Sequence, residues 1–155
     1  MNESSLIIRP VTMEDASLLF EWRNEEETRR QSRTREVVTL EGHIRWLEDL
    51  LKSPTRILCI AECDGQAIGT VRADAREDGY TEISYTIAPN ARGKGLSKPM
   101  VLRFVEQYIG GKQLAAVIKK GHGPSESVAK ALSLKPFSEI ASEDPDDPRP
   151  MAEWR

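Results

Sequence analysis

Three strand-like segments joined by short turns constrain the fold more than any other feature of the sequence. They cover residues 56–63, 66–74 and 80–89, and the first two are separated by the turn-forming pair Asp64-Gly65. Apolar and β-branched residues alternate or run together in each segment, which is typical of strands that pack on a core. Because the connections are short, the three segments predict an antiparallel meander.

Two amphipathic segments lie before this meander and predict helices. Residues 13–24 follow Thr12 and residues 40–51 follow Thr39, and threonine is a common N-terminal helix cap. The segment between them, residues 25–36, has no apolar periodicity and predicts a loop or a mobile lid. We expect the buried face of the second helix to be formed by Leu40, Ile44, Leu47 and Leu51.

The rest of the chain predicts one strand near the N-terminus and five elements after the meander. The predicted bounds are residues 6–11 for the first strand, 96–109 and 126–134 for helices, and 113–119, 135–140 and 149–155 for strands. The predicted order is therefore βααβββαβαββ. Since 155 residues without a linker are few for two domains, we expect residues 1–155 to form a single domain.

Composition and charge exclude several classes of function. The sequence is 39% hydrophobic and 30% charged, with neither a run long enough to span a membrane nor a signal-peptide pattern, so we expect a cytoplasmic protein with no membrane partner. A net charge of −3 argues against nucleic-acid binding. Cys59 and Cys63 lack the further ligands that a zinc site needs, so we expect buried, reduced thiols and no metal.

The loop at residues 90–98, NARGKGLSK, lies between the third strand of the meander and a predicted helix. The start of a helix presents unpaired backbone N–H groups and partial positive charge, and both attract anions. Gly93 and Gly95 let the backbone approach a bulky anion, and Arg92 and Lys94 add full charges. The loop therefore indicates a phosphate site, although the Walker A and dinucleotide-binding patterns are both absent. The alternative is a glycine-rich turn with solvated cations.

The pattern Arg92-x-x-Gly95-x-Ser97 resembles the acetyl-CoA pyrophosphate loop of the GNAT family of N-acetyltransferases, which reads Gln/Arg-x-x-Gly-x-Gly/Ala. The element order fits this family over nearly the whole chain. The resemblance implies an α+β GNAT fold with a mixed, mostly antiparallel central sheet and helices on both faces. It also implies acetyl-CoA as cofactor and acetyl transfer to a primary amine. The implied cofactor-binding residues are Ile87, Ala88, Arg92, Gly93, Lys94, Gly95, Leu96, Ser97, Lys98, His122 and Ser125.

The resemblance also bears on catalysis. Glu82 matches the strand position at which several GNAT enzymes carry a general-base glutamate; the alternative is a residue on the solvated face of a strand. Many relatives protonate the leaving group with a tyrosine, but Ala129 stands at the matching position and cannot donate a proton. Bound water, Tyr85, Ser125 or His122 could replace it, or the thiolate could leave unaided.

The acceptor is predicted from the first two helices, in which GNAT enzymes carry much of their specificity. The runs Trp22-Arg23-Asn24 and His43-x-x-Trp46 resemble a GNAT subgroup that acetylates nucleotide-linked amino sugars. The implied substrate residues are Trp22, Arg23, Asn24, Arg30, His43 and Trp46. Both tryptophans could instead be core residues.

An arginine cluster in the segment between the first two helices, residues 25–36, indicates an acceptor with a negative charge. Arg29, Arg30, Arg33 and Arg35 could receive a phosphate group on a small-molecule amine, or they could belong to a solvated loop. The same region also resembles acetyltransferases that act on ribosomal-protein N-termini. A non-catalytic CoA-binding module and a nucleotide-binding domain are further alternatives, and a homodimer is left open.

Overall fold

The computed structural model describes residues 5–32 and 36–155. The strands within these ranges are β1 (Leu6–Pro10), β2 (Arg56–Cys63), β3 (Gln66–Ala75), β4 (Thr81–Ile87), β5 (Leu114–Lys119), β6 (Pro136–Ile140) and β7 (Met151–Trp154). The helices are α1 (Ala16–Asn24), α2 (Glu26–Gln31), α3 (Leu40–Lys52), α4 (Ser97–Phe104) and α5 (Gly123–Ala131). A π-helical segment, Val105–Ile109, continues α4. Among the described residues, no helix is long and apolar enough to cross a membrane.

The strands form one sheet in the order β1-β2-β3-β4-β5-β7-β6. Strands β1 to β4 pair antiparallel in sequence, which confirms the predicted meander, and β5, β7 and β6 are also antiparallel neighbours. In the described part of the chain, only β4 and β5 run parallel, and their pairing stops after Thr81 with Leu114 and Glu82 with Ala115. The sheet is therefore mixed and mostly antiparallel, as predicted, with an opening between β4 and β5 that begins at Glu82.

Helices cover both faces of the sheet, which confirms the expected architecture. On one face, a Cβ atom at Gly69 of β3 would lie 3.3 Å from the Sδ atom of Met100 in α4. On the other face, the guanidinium of Arg72 lies 5.9 Å from the ring centroid of Trp46 in α3. The buried core is formed mainly by β2 and β3 together with residues of α1, α3 and α4, and it includes Cys59 and Cys63 as free thiols, as expected.

The prediction of a loop at residues 25–36 is wrong for residues 26–31, which form α2. The carboxylate of Glu25 caps this helix by accepting a hydrogen bond from the backbone N–H of Thr28 at 2.9 Å. Acidic residues in its first turn and arginines in its last turn complement the helix dipole. Helix α2 buries none of its own residues and is stabilised by these polar contacts. Such a helix needs no apolar face, so its sequence shows no apolar periodicity. The observed order has one more helix than predicted.

The predicted buried face of α3 is also wrong in part. Leu40 and Leu51 are 48% and 39% exposed, whereas His43, Leu47 and Leu50 are buried. These three residues are spaced at i, i+4 and i+7, so the helical period is correct but the face is rotated. The reason is that a polar residue, His43, occupies a core position, where its ring packs between Phe20 and Trp46 at centroid distances of 5.7 and 5.3 Å.

Candidate active site

The glycine-rich loop leads from β4 into the start of α4. Gly93 and Gly95 both have a left-handed backbone, with φ of 75° and 70°, which is a conformation that other residues rarely adopt. A Cβ atom at either position would meet no other atom within 4 Å, so the space next to the loop is open. Together with the start of α4, this open backbone has the form expected of a phosphate cradle.

A cleft of about 450 Å³ lies between the N-terminal ends of α4 and α5. It is lined by Gly95, Ser97, Lys98, Pro99, Leu102, Pro124, Ser127 and Val128. The structure therefore brings three predicted cofactor-binding residues together with five that sequence reasoning missed. A cleft of this size is large enough for a small ligand. The mixture of an apolar wall, backbone N–H groups and one lysine fits the diphosphate end of a cofactor such as CoA.

Other predicted cofactor residues are less available than expected. The side chains of Ala88 and Leu96 are buried in the core. The backbone N–H of Ala88 donates to Ile68 at 2.8 Å, and its carbonyl accepts from Ala91 at 2.9 Å, so this residue stabilises the loop and offers no free donor. Lys94, in contrast, is exposed at the open side of the loop.

Arg92 is paired with α2. Its Nη1 and Nη2 atoms donate to the two carboxylate oxygens of Glu25 at 3.2 and 2.7 Å, and Nη2 also donates to Oγ1 of Thr28 at 3.2 Å. The hydrogen bonds from Arg92 lower the pKa of Glu25 to about 2. The Arg92 side chain therefore joins the glycine-rich loop to the capping residue of α2, a contact that sequence reasoning missed.

Tyr85, Ser125 and His122 form a line of hydrogen-bonding groups between β4 and α5. The hydroxyls of Tyr85 and Ser125 are 3.4 Å apart, and Ser125 Oγ is 2.6 Å from Nδ1 of His122. Burial raises the pKa of Tyr85, although hydrogen bonds from Ser125 and Ser97 oppose this shift, and burial lowers the pKa of His122. A protonated phenol is thus connected to a neutral imidazole next to the cleft.

Glu82 lies where the β4–β5 ladder ends. Its Oε1 atom is 3.5 Å from Nη1 of Arg76, which also binds Glu153 at 3.1 Å. Because side chains alternate along a strand, Glu82 and Tyr85, three residues apart, point to opposite faces of the sheet. The opening between β4 and β5 is therefore flanked by a carboxylate on one face and a phenol on the other.

Several of the residues predicted to bind the acceptor are instead buried or bonded to other parts of the protein. Trp22 is buried in the core. The side-chain amide of Asn24 makes two hydrogen bonds of 2.9 Å with the backbone of Val38. Arg30 is exposed and pairs with Glu27 at 3.1 Å. Arg33 and Arg35 lie outside the described residues.

Arg23 and His43 differ from these residues. Nη1 of Arg23 and Nε2 of His43 are both buried without a hydrogen-bond partner. Burial lowers the pKa of both side chains, and the positive charge of Arg23 adds to the effect on His43. Helices α1 and α3 therefore contain buried polar atoms without hydrogen-bond partners.

Comparison with known proteins identifies the family. Residues 5–135 match the model of the acetyltransferase (GNAT) domain. A search of proteins with curated functions found no match.

Solved structures show the same fold along nearly the whole chain. A ribosomal-protein-alanine N-acetyltransferase from Brucella melitensis is 21% identical with a TM-score of 0.81, covering 96% of this chain and 97% of that one. A spermidine N-acetyltransferase from Vibrio cholerae, solved with CoA and spermine, is 12% identical with a TM-score of 0.86, covering 97% and 94%. An N-acetyltransferase from Staphylococcus aureus Mu50 is 19% identical with a TM-score of 0.80, covering 96% of each chain.

At these identities the solved structures establish the fold alone, whereas the family match covers most of the chain. The glycine-rich loop, the cleft beside it and the opening between β4 and β5 fit the acetyl-CoA of such an enzyme. The chain belongs to the GNAT acetyltransferase domain family and is an acetyl-CoA-dependent N-acetyltransferase.

Proposed function

We propose that this enzyme acetylates the primary amine of a small acceptor that carries an anionic group, such as a nucleotide-linked amino sugar. The observation that carries the proposal is the opening between β4 and β5, with the glycine-rich loop nearby and proton-carrying side chains on both faces of the sheet. The proposal includes a single domain over residues 1–155 and a cytoplasmic location.

The loop and the strand edge would hold the cofactor. Acetyl-CoA supplies an acetyl group activated as a thioester. The backbone N–H groups of residues 93–97 would bind its diphosphate, since the positive φ values of Gly93 and Gly95 and the start of α4 expose them. The backbone of Ile87 lies at the open edge of β4 and would bind the extended arm. Lys98, which lines the cleft, adds a positive charge.

Glu82 would act as the general base. The acceptor arrives as an ammonium ion and must lose a proton before its nitrogen can attack a carbonyl carbon. The contact of Glu82 with Arg76 is long, at 3.5 Å. In the proposed role, the carboxylate would accept a proton from the ammonium group directly or through one water molecule.

Tyr85 would hold the proton that the leaving group requires. Burial keeps its pKa above the usual value, so the Oη atom carries a proton at neutral pH. After its release, the Ser125 hydroxyl can replace this proton, and Nδ1 of His122 can in turn reprotonate Ser125. Nε2 of the imidazole takes up a proton from solvent as Nδ1 gives up its own, so the ring ends neutral and the transfer balances.

The test is acceptor-dependent release of thiol from acetyl-CoA. The amines to be screened are UDP- and CMP-linked amino sugars, peptides and polyamines. With an active acceptor, Glu82→Gln should lower kcat by about 10² to 10⁴, the usual range for a general base, and leave acetyl-CoA affinity nearly unchanged. Glu106→Gln, at an exposed position on the segment after α4, is the matched control and should keep the native rate.

Several outcomes would contradict the proposal. A native rate for Glu82→Gln would remove the base assignment and favour a water chain or an acceptor that arrives neutral. Preference for peptides would support a protein N-terminal acetyltransferase. CoA binding without thiol release for any amine would support a non-catalytic CoA-binding module.

A further inference from the structure

Arg23 carries a partly buried positive charge that has no neutralising partner among the described residues. Its Nη1 atom is buried without a hydrogen bond, and the side chain makes no ion pair within the part of the chain that the structure describes. Burying a cation without a counter-charge costs folding free energy, because the group loses its hydration and gains nothing in return. A residue that destabilises the fold in this way is usually retained where the protein needs it for binding.

The surroundings of Arg23 are positive. Arg29 and Arg72 are close enough for their charges to lower its pKa further. Arg72 pairs with Asp74, its Nε lying 2.8 Å from Oδ2, so this carboxylate is engaged by another arginine. The ring of His43 is a further neighbour, and its Nε2 atom is also buried without a partner.

The position of these side chains relative to Glu82 follows from strand register. Arg72 of β3 is paired with Ser84 of β4, and Asp74 is paired with Glu82. Cross-strand partners point to the same face, so Arg72, Asp74 and Glu82 share the face covered by α1 and α3. These cross-strand pairs form two rows, one of Arg72 with Ser84 and one of Asp74 with Glu82. The rows are two residues apart, which corresponds to roughly 7 Å along the strand.

Each row has a distinct chemistry. The row of Glu82 and Asp74 is acidic, and Oδ1 of Asp74 is buried without a partner, so this row can accept hydrogen bonds from an ammonium group. The row of Arg72 lies beside Arg23 and His43, whose Nη1 and Nε2 atoms are buried without partners, whereas Arg72 itself donates to Asp74. An acceptor that carries both an amine and an anionic group would satisfy both rows.

We propose that Arg23, supported by Arg72 and His43, forms a subsite for a carboxylate or phosphate group of the acceptor whose amine is acetylated beside Glu82. This inference rests on the proposed function and moves the anion-binding role away from the arginine cluster of the connecting segment. Within the described part of that cluster, Arg29 donates to the backbone of Asn24 and Arg30 pairs with Glu27. Arg23 is partly exposed outside its buried Nη1 atom, which leaves an approach for a ligand.

The first experiment measures anion binding without turnover. Thermal unfolding of the full chain is followed with saturating CoA, so that the phosphate cradle is filled, and with increasing inorganic phosphate. Phosphate should raise Tm of the native protein by about 2–4 °C, because a ligand that binds only the folded state stabilises it. Arg23→Met should lose this shift and, without phosphate, should be at least as stable as the native protein. Arg45→Met, at an exposed and ion-paired position of α3, should keep it.

Two results would overturn the subsite. One is an undiminished phosphate shift in Arg23→Met, or, in the native protein, neither a phosphate shift nor the preference for β-alanine over its amide that the second experiment measures. The other is a large loss of stability of Arg23→Met without phosphate, which would show that the guanidinium has a structural role.

The second experiment separates the anion from the amine. Acetyl transfer is measured to matched acceptors, ethanolamine with 2-aminoethyl phosphate, and β-alanine with its amide. The native enzyme should prefer a charged member by KM, and the preferred pair identifies phosphate or carboxylate. Arg23→Met should reduce that preference by about tenfold to a hundredfold, as for a charge-assisted hydrogen bond, and Arg23→Lys should restore part of it.

Equal discrimination in the native enzyme and Arg23→Met would refute the subsite while leaving the acetyltransferase proposal intact. If none of these amines or the screened acceptors is acetylated, the proposed function fails. The phosphate shift then still decides whether Arg23 binds an anion.

Discussion

Adding a side chain at Gly69 of β3 should destabilise the protein, and it should also weaken acetyl-CoA binding. A Cβ atom at this position would lie 2.3 Å from the carbonyl oxygen of Thr86 and 3.3 Å from both Cα of Ile87 and Sδ of Met100. Real Cβ contacts are essentially never shorter than 3.0 Å, so β3 and β4 would have to separate by about 0.7 Å. The displaced part of β4 is the edge next to the opening between β4 and β5.

The expected cost follows from this geometry. Overpacking a core position costs about 1–3 kcal/mol, and the upper part of this range applies because the nearest atom is backbone and cannot change rotamer. Replacing glycine by alanine returns about 0.4–1 kcal/mol through the unfolded chain. The net destabilisation of Gly69→Ala should then be about 1.5–2.5 kcal/mol. For a chain of this length, Tm should fall by about 3–10 °C.

Gly111→Ala is the matched control. A Cβ atom there meets nothing within 4 Å, and its φ lies outside the left-handed region, so the same substitution should leave stability unchanged or raise it slightly. Urea unfolding and thermal unfolding of both variants measure the difference, and the Tm shift with acetyl-CoA reports on the site. Gly69→Ala should show a smaller acetyl-CoA shift than Gly111→Ala. Equal stability of the two variants would refute the close approach of β3 and β4.

Three further predictions concern the site itself. Tyr85→Phe should lower kcat at neutral pH by about tenfold or more with unchanged acetyl-CoA affinity, because it removes the buried proton donor; single-turnover thiol release measures this, and a native rate would exclude Tyr85 as the donor. Gly95→Ala should cost about 1 kcal/mol, because alanine is strained at a φ of 70°, and should weaken the Tm shift with acetyl-CoA; an undiminished shift would place the phosphate elsewhere. Glu25→Gln tests the pair with Arg92. Because the pKa of Glu25 is lowered from 4.5 to about 2, the stabilisation from this pair should be complete above pH 4.5 and should disappear as the pH falls towards 2. The difference in unfolding free energy between native and Glu25→Gln proteins should therefore shrink over this window, and a constant difference would contradict the pairing.

The parts of the fold that sequence reasoning predicted are those with local signals. The meander was predictable because the apolar and β-branched residues of its strands alternate or run together and its turns carry turn-forming residues. The glycine-rich loop was predictable because only glycine is favoured at the φ values found at Gly93 and Gly95. Residues that are one turn or one hairpin apart determine these features.

The errors and omissions arise from contacts between distant parts of the chain. Helix α2 has no apolar face, and its cap Glu25 binds Arg92, which is 67 residues away. Tyr85 and Ser125 are 40 residues apart and meet only when α5 packs beside β4. His43 has the polarity of a surface residue and still lies in the core, because two aromatic rings enclose it. No local pattern encodes such pairings, so only the three-dimensional structure reveals them.

The opening between β4 and β5 explains why the site lies where it does. Beyond the pair Glu82 and Ala115, β5 continues its pairing with β7 alone, whereas residues 83–87 of β4 pair with β3 alone. Among the described residues, this edge of β4 has no strand partner inside an otherwise continuous sheet, and an unpaired edge presents backbone donors and acceptors to any extended chain. A cofactor with an amide-containing arm can bind there as a strand would. Because side chains alternate, Glu82 lies on one face of this edge and Tyr85 on the other, so in the proposed mechanism the two proton transfers would proceed from opposite sides of the sheet.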